Sequence, residues 1–192
     1  NAVANALTKS IAERKVNAIK EIPANGCVGQ LTEDGLASIE TALADYTANP
    51  SIANNVALNA AIANAETIGI KAGLMYRLRN YGRANNRYLQ ALSNEMSVGD
   101  LNETNKDQLF AFMPGEEDGT WTILNENRNV YIGSTGAQNV KIPMVGEANA
   151  ALYKVNSLKE GLSALLCQSP ATASLPAIHL DGSLKLVPWS AG

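Results

Sequence analysis

The sequence predicts an α+β fold that is predominantly α-helical: an N-terminal helical bundle with a long central helix, followed by a small C-terminal α+β part with β-hairpins. Two observations predict this fold. Apolar residues recur at three- and four-residue spacing through most of the first 113 residues, which is the period of an amphipathic helix. Beyond Pro114, short β-branched and aromatic runs alternate with turn signals, as in strands. We therefore expect a helical domain over 1–113 and a small α+β domain over 114–192, packed separately or as one unit.

Length and composition restrict the class of protein. The chain has 192 residues, of which 46% are hydrophobic and 5% aromatic, and its net charge is -3. Ala and Asn are frequent, which favours helices that pack closely through small side chains. The negative net charge excludes a generally basic nucleic-acid binder, although a local basic site stays open. No apolar run is long enough for a transmembrane helix, so no membrane span is predicted.

The long central helix is predicted from residues 74–96. Six apolar residues in this segment are separated by four, three, seven, four and four positions, which places them on one helix face. These residues are Leu74, Leu78, Tyr81, Tyr88, Leu92 and Met96. The segment contains no proline, and Gly82 is its one glycine. We expect one long helix, or two nearly collinear helices, over 52–96.

Capping signals predict further helices near the N-terminus. Residues 2–22 have a helical pattern. Thr32 is the predicted N-cap of the next helix, because Glu33 and Asp34 in its first turn favour the helix dipole. Ser51 is the predicted cap of the helix that follows.

The second half of the chain mixes helices with strands. Helices are predicted over 103–112 and 147–168, and strands over 120–124 and 129–133. Asp181-Gly182 between two short apolar runs is a strong signal for a β-hairpin. No internal repeat is visible in the sequence.

The candidate binding residues are four arginines of the central segment: Arg77, Arg79, Arg83 and Arg87. The last three are spaced four residues apart, so in a helix they would form a ladder of like charges that repel one another. No acidic residue lies between Glu66 and Glu95. The compensating charge must therefore come from elsewhere.

Three partners for the arginine ladder stay open. The first is the acidic segment of the same chain over 100–126, which would neutralise the ladder within the molecule. The second is an acidic segment of another copy, since complementary charge sets register between chains. The third is an anionic ligand, such as a nucleic-acid backbone or a pigment-like cofactor, because the planar guanidinium suits phosphate and carboxylate groups.

Motifs of catalysis and metal binding are missing from the sequence. His179 is the single histidine, so an HExxH site is excluded, and the GxSxG nucleophile motif is absent. Cys27 and Cys167 have no CxxC partner, and we expect both thiols to be unpaired. The sequence therefore predicts no metal site, no catalytic residue and no cofactor.

The predicted function is that of a non-enzymatic structural protein, a subunit or scaffold of an ordered multi-chain assembly such as a filament, shell or linker. Its predicted partners are other protein chains, through self-association, with nucleic acid less favoured. The first alternative is a binding module for an anionic ligand, a nucleic-acid backbone or a pigment-like cofactor at the arginine ladder. The second alternative is an enzyme whose carboxylates carry no recognisable motif.

Overall fold

The computed structural model describes residues 6, 8–13, 28, 31–81, 87–137, 139–159, 162–170, 177–181 and 183–189. The chain divides into two units. The first unit is Asn1–Gly69 with Ser157–Ser163, and the second is Ile70–Asn156 with Ala164–Gly192. Each unit is described by itself.

The first unit contains helix α1, Glu33–Ala48, and helix α2, Ile52–Asn64, and residues 8–13 are helical as well. Both predicted caps are confirmed. The hydroxyl of Thr32 accepts a hydrogen bond from the Gly35 amide at 3.0 Å, and the hydroxyl of Ser51 accepts one from the Asn54 amide at 3.1 Å. Each cap satisfies an N–H group that the first helical turn leaves without a partner.

The core of the first unit is small and lies between these helical segments. Ile39 of α1 and Leu58 of α2 are fully buried, and Tyr46, Leu31 and Ala12 complete the buried cluster. The side of α1 opposite this core carries the acidic residues Glu33, Asp34, Glu40 and Asp45, whereas α2 has no acidic residue and exposes Ile52 and Val56.

The first turn of α1 lies directly against the backbone of Glu66. The Thr32 amide donates to the Glu66 carbonyl at 2.9 Å. Gly35 is buried there, and the backbone passes so close that a Cβ atom on Gly35 would be 2.3 Å from the same carbonyl oxygen. The absence of a side chain at Gly35 therefore permits this contact.

The second unit is built from short strands. Their bounds are β1 Met75–Tyr76, β2 Arg87–Ala91, β3 Met96–Asp100, β4 Phe110–Pro114, β5 Trp121–Asn125, β6 Val130–Ile132, β7 Met144–Val145, β8 Leu152–Lys159, β9 Leu162–Ser169, β10 Ala177–Leu180 and β11 Leu186–Trp189. Two 3-10 turns, Lys106–Gln108 and Glu147–Asn149, precede β4 and β8.

Within the described residues, nine of these strands form one sheet. Its order is β1-β4-β5-β8-β9-β10-β11, and β6 joins it by pairing with β5 and β7. Strands β2 and β3 form a separate antiparallel hairpin. The buried core of the unit lies on the inner face of these strands and includes Phe110, Phe112, Ile123, Ile132 and Tyr153.

The strands of the second unit repeat about every 45 residues, a period typical of repeat architectures. In each of the first two repeats the first strand pairs with the fourth, so that Tyr76 is opposite Phe110 and Trp121 is opposite Tyr153. Each of three repeats contributes one hairpin, namely β2–β3, β6–β7 and β10–β11. The fold is therefore a threefold repetition that the sequence pattern did not reveal.

The three hairpins meet at equivalent buried residues. The Met96 amide donates to the Ile142 carbonyl, and the Ile142 amide donates to the Leu186 carbonyl, each at 2.9 Å. The three side chains are 1–2% exposed. This chain of backbone hydrogen bonds joins the three repeats at the centre of the unit.

The predicted helical fold class is wrong, because the described residues after Gly69 form strands and two 3-10 turns and no α-helix. The helix predicted over 52–96 ends at Asn64, and its second half is replaced by β1, β2 and β3. The helices predicted over 103–112 and 147–168 are replaced by the two 3-10 turns with β4, β8 and β9. The strands predicted over 120–124 and 129–133 are confirmed as the hairpin β5–β6, and the hairpin predicted at Asp181-Gly182 is confirmed as β10–β11.

The helix prediction was wrong because the same residues also fit the two-residue period of a strand. Tyr76 and Leu78 pack against the core, whereas Arg77 and Arg79 alternate with them, which is the two-residue period of a strand. A helix would bury Leu74 along with the rest of its stripe, yet Leu74 is 52% exposed.

Replacing Gly35 tests the close approach in the first unit. Gly35→Ala should lower the free energy of unfolding by about 1–3 kcal/mol, as overpacking does, although Ala favours a helix by about 1 kcal/mol. The control is Gly69→Ala, where a Cβ meets nothing within 4 Å, and its effect should stay within about 0.5 kcal/mol. Urea unfolding of both variants measures the difference, and equal effects would contradict the contact.

Leu78 and Leu74 distinguish the sheet from the predicted helix. In a helix, residues four apart share a face, so both truncations would be costly. In the structure only Leu78 packs against the core. Leu78→Ala should therefore destabilise the protein by about 1–3 kcal/mol, and Leu74→Ala by less than about 0.5 kcal/mol. Similar losses in thermal unfolding would favour the helix.

Candidate functional site

The structure places the sequence-predicted arginines around the first repeat. Arg77 follows β1, and Arg79 forms an isolated antiparallel bridge with Tyr88 of β2. Arg87 is the first residue of β2. Arg83 lies outside the described residues.

Residues 78–80 run alongside β2 and fix which side chains share a face. The Leu89 amide donates to the Leu78 carbonyl at 2.9 Å, and the Asn80 amide donates to the Arg87 carbonyl at 2.8 Å. These bonds flank Arg79 and Tyr88, which therefore form a non-hydrogen-bonded pair, the arrangement that brings side chains closest.

Gln90 lies two residues after Tyr88 on β2, and Arg77 lies two residues before Arg79 on the segment beside it. Side chains of a strand alternate between its two faces, so Arg77, Arg79, Tyr88 and Gln90 lie on one face while Leu78 lies on the core side. We call these four residues the arginine face. Sequence reasoning missed Tyr88 and Gln90 as site residues, although the alternation from Tyr76 to Arg79 was a signal for the strand.

The charges of Arg77 and Arg79 are not compensated by a carboxylate within the described residues. Arg77 Nη2 donates to the backbone carbonyl of Glu103 at 2.7 Å, while its Nε is buried without a hydrogen-bond partner. Arg79 is exposed and takes part in no ion pair in this part of the chain. A buried donor without a partner costs about 1–3 kcal/mol.

Arg87 differs from these two arginines because it has an acidic partner. It lies opposite Asp100 in the β2–β3 register, and its Nη1 is 3.1 Å from Asp100 Oδ1. Asp100 belongs to the acidic segment over 100–126. For Arg87, a compensating charge thus comes from within the chain.

Gly99 leaves room for the side chain of Gln90. Gly99 lies opposite Tyr88, and a Cβ on Gly99 would be 2.8 Å from Gln90 Oε1. The Gln90 side chain therefore extends over Gly99. It is half-buried, and its amide makes no hydrogen bond among the described residues.

Gln108 holds the loop that anchors Arg77. Its side chain is 1% exposed. Its Nε2 donates to the Asp100 carbonyl at 2.7 Å, and its Oε1 accepts from the Asn102 amide at 3.0 Å. These two bonds fix residues 100–102, immediately before the Glu103 carbonyl that Arg77 contacts.

Equivalent positions in the other repeats carry no arginine. The pair equivalent to Arg79 and Tyr88 is Leu124 and Tyr131 in the second repeat, and Leu166 and Ala177 in the third. Leucine at two equivalent positions shows that the fold does not require arginine there. Arg79 is a feature of the first repeat alone.

Asp107 and Asn125 form a polar cluster whose role is structural. Hydrogen bonds from Arg128 at 2.6 Å and Asn127 at 2.7 Å, the former the larger effect, lower the pKa of Asp107. The Asn125 amide donates to three backbone carbonyls, those of Lys106, Asp107 and Leu109. The cluster joins the 3-10 turn before β4 to the β5–β6 hairpin.

Other titratable groups with altered pKa lie in the core or in a turn. Burial raises the pKa of the Tyr153 phenol, which donates to the Gly133 carbonyl, and burial also raises the pKa of the Cys167 thiol. Cys167 is unpaired, as expected, and Cys27 lies outside the described residues. The backbone amide of Lys185 donates a hydrogen bond to the Asp181 carboxylate in the β10–β11 turn. Together with hydrogen bonds from Ser183, it lowers the pKa of Asp181.

The arginine face supplies positive charge and hydrogen-bond donors, but none of its four residues is a carboxylate or a histidine that would exchange a proton near neutral pH. Across the described ranges, no group of three or more His, Cys, Asp or Glu side chains is placed to hold a metal ion. None of the helices that the structure describes is both long and apolar enough to span a membrane.

No family model and no curated protein matches the sequence. Solved structures are similar in fold. A complex of PSL1a is 15% identical with a TM-score of 0.50, and the match covers 65% of this chain and 44% of that one. A mutant GH54 α-L-arabinofuranosidase soaked with 4-nitrophenyl α-L-arabinofuranoside is 11% identical with a TM-score of 0.50, over 74% of this chain and 33% of that one.

The BEL β-trefoil is 16% identical with a TM-score of 0.45, over 64% of this chain and 87% of that one. The likeness in fold to the PSL1a and arabinofuranosidase chains agrees with the strands described above. The chain spans less than half the length of the PSL1a and arabinofuranosidase chains that it matches. At these identities the likeness extends to the fold alone.

The pKa of Asp107 gives a pH-dependent prediction. Because its pKa is lower in the folded chain, the ionised carboxylate stabilises the fold above the ordinary value of 3.8, and this contribution is lost as the pH falls through the folded pKa. Asp107→Asn should therefore reduce the free energy of unfolding at pH 7, and the gap to the wild type should narrow below pH 3.8.

Urea unfolding between pH 2 and pH 7 measures this gap. The matched control is Asp118→Asn, because Asp118 is exposed and forms no ion pair within the described residues. The control should follow the wild type across the range. A constant gap for Asp107→Asn would show that the carboxylate charge is not what stabilises the cluster.

Proposed function

We propose that the chain is a non-enzymatic binding module that holds an anionic ligand at Arg77 and Arg79. The observation that carries the proposal is the lack of a carboxylate partner for either side chain within the described residues, although the two arginines are only two positions apart on the segment that follows β1. Arg87, in the neighbouring strand, has such a partner in Asp100. The charge available to a ligand is therefore concentrated on two residues.

Guanidinium chemistry suits this role. Arginine presents several N–H donors in a planar fork that matches the two oxygens of a carboxylate, phosphate or sulfate. The bond from Arg77 Nη2 to the Glu103 carbonyl restricts the side chain before a ligand arrives. Such restriction reduces the entropy that binding must offset.

The spacing of the two arginines favours a small anion over a polyanion. Residues two apart on a strand are separated by about 6.5–7 Å, which two guanidinium groups span by contacting one oxoanion from either side. A nucleic-acid backbone would need several phosphate contacts.

Replacing the two arginines separately tests the proposal. Arg77→Gln and Arg79→Gln should each weaken the binding of acetate or sulfate at least fivefold, because each removes one charged donor. Arg87→Gln is the matched control and should bind as the wild type does, since Asp100 already occupies that guanidinium. Titrations followed by NMR at low ionic strength measure the affinities.

Salt and folding controls complete this test. Binding should weaken as chloride is raised, because screening grows with ionic strength. The amide spectra of all three variants should remain dispersed. No saturable binding of any anion to the folded wild type, or an equal loss in Arg87→Gln, would contradict the proposal.

A second candidate function is self-association through the first unit, as a subunit of an assembly. Ile52 and Val56 lie one turn apart on α2 and are 82% and 62% exposed. Helix α2 contains no charged residue. Exposed apolar patches often mark contact surfaces between proteins. Sedimentation of the wild type and of Ile52→Asp tests this candidate, which requires a wild-type oligomer that the variant loses.

A further inference from the structure

We infer that the ligand of the arginine face is a ring-bearing carboxylate with a hydrogen-bonding group beside the ring. This inference rests on the proposed function and names the class of its ligand. It follows from the two residues of the face that carry no charge, Tyr88 and Gln90, and from how they are placed relative to the two arginines.

Arg79 lies directly opposite Tyr88, and Gln90 lies two residues after Tyr88 on β2, so the side chains of Tyr88 and Gln90 share one face of that strand. Directly opposite residues have Cβ atoms about 4.5–5.5 Å apart, and residues two apart on a strand are about 6.5–7 Å apart. A ligand that contacts Arg79, Tyr88 and Gln90 together is therefore about the size of one six-membered ring with its substituents, which is larger than a bare oxoanion.

Tyr88 supplies a surface for a ring. Its side chain is half-buried and stands beside the exposed Arg79, with Gly99 as its partner on the other strand. The space over Gly99 is taken by the Gln90 side chain, so Tyr88 and Gln90 present adjoining surfaces. Aromatic rings bind other ring faces by packing, and the phenol hydroxyl adds a polar contact.

Gln90 supplies both a donor and an acceptor. Its amide makes no hydrogen bond among the described residues, although the side chain is half-buried and lies over Gly99. A carboxamide in that state matches a hydroxyl pair or a peptide group on a ligand, each of which both donates and accepts. A simple anion would leave this amide unused.

Two kinds of molecule share this chemistry. An acidic saccharide offers a carboxylate, a ring and hydroxyl groups. An N-acylated aromatic amino acid, as at the end of a peptide chain, offers a carboxylate, a ring and an amide. Glucuronate and N-acetylphenylalanine therefore serve as probes of the two sources, benzoate presents the carboxylate and ring without the hydrogen-bonding group, and acetate presents the carboxylate alone.

Isothermal titration with the four probes tests the inference. Glucuronate or N-acetylphenylalanine should bind at least fivefold more tightly than benzoate and acetate, and the tighter of the two identifies the source. Gln90→Leu keeps the size of the side chain and should remove this advantage while acetate binding is unchanged. Gly99→Ala should have the same effect, because its Cβ would displace the Gln90 amide.

The outcomes separate the inference from the proposed function. If all four probes bind equally and depend on Arg79, the anion site stands and the inference is wrong. If no probe binds to the folded protein, the proposed function fails and the inference fails with it. Should Gln90→Leu unfold the protein, Gln90→Glu serves instead, and its added negative charge should weaken every probe at least fivefold.

Discussion

The backbone hydrogen bonds from Met96 to Ile142 and from Ile142 to Leu186 hold the second unit together. Each joins one repeat to the next at a residue whose side chain is almost completely buried. Buried backbone groups must find partners, so these bonds fix how the three hairpins meet. Within each strand, successive side chains then alternate between the core face and the outer face.

This alternation of side chains produces the arginine face. Leu78 must face the core, and Arg77 and Arg79 are therefore directed to the other side of the strand, next to Tyr88. The other repeats satisfy the same geometry with Leu124 and Leu166 in place of Arg79. Arg79 thus adds charge to the surface without a structural need for it, which is why it favours a binding role.

Local signals predicted the capped helices well and the central segment badly. The caps at Thr32 and Ser51 depend on neighbouring residues alone, and the Asp181 turn likewise. From residue 74 onward, one set of apolar residues fits both a helical and a strand period, and only pairing with distant strands decides between them. The arginines were found by their charge, whereas Tyr88 and Gln90 join them through cross-strand register, which no local pattern displays.

The most direct test of the binding role is to map benzoate binding on the isotope-labelled protein by NMR. The account predicts saturable amide shift changes within residues 77–80 and 87–91, and none in the equivalent segments 122–125 and 130–132 of the second repeat. The equivalent segments share the strand geometry and lack the arginines, so they form an internal control. Equal shifts in both repeats, or no saturable shift in the first, would contradict a binding site at the arginine face.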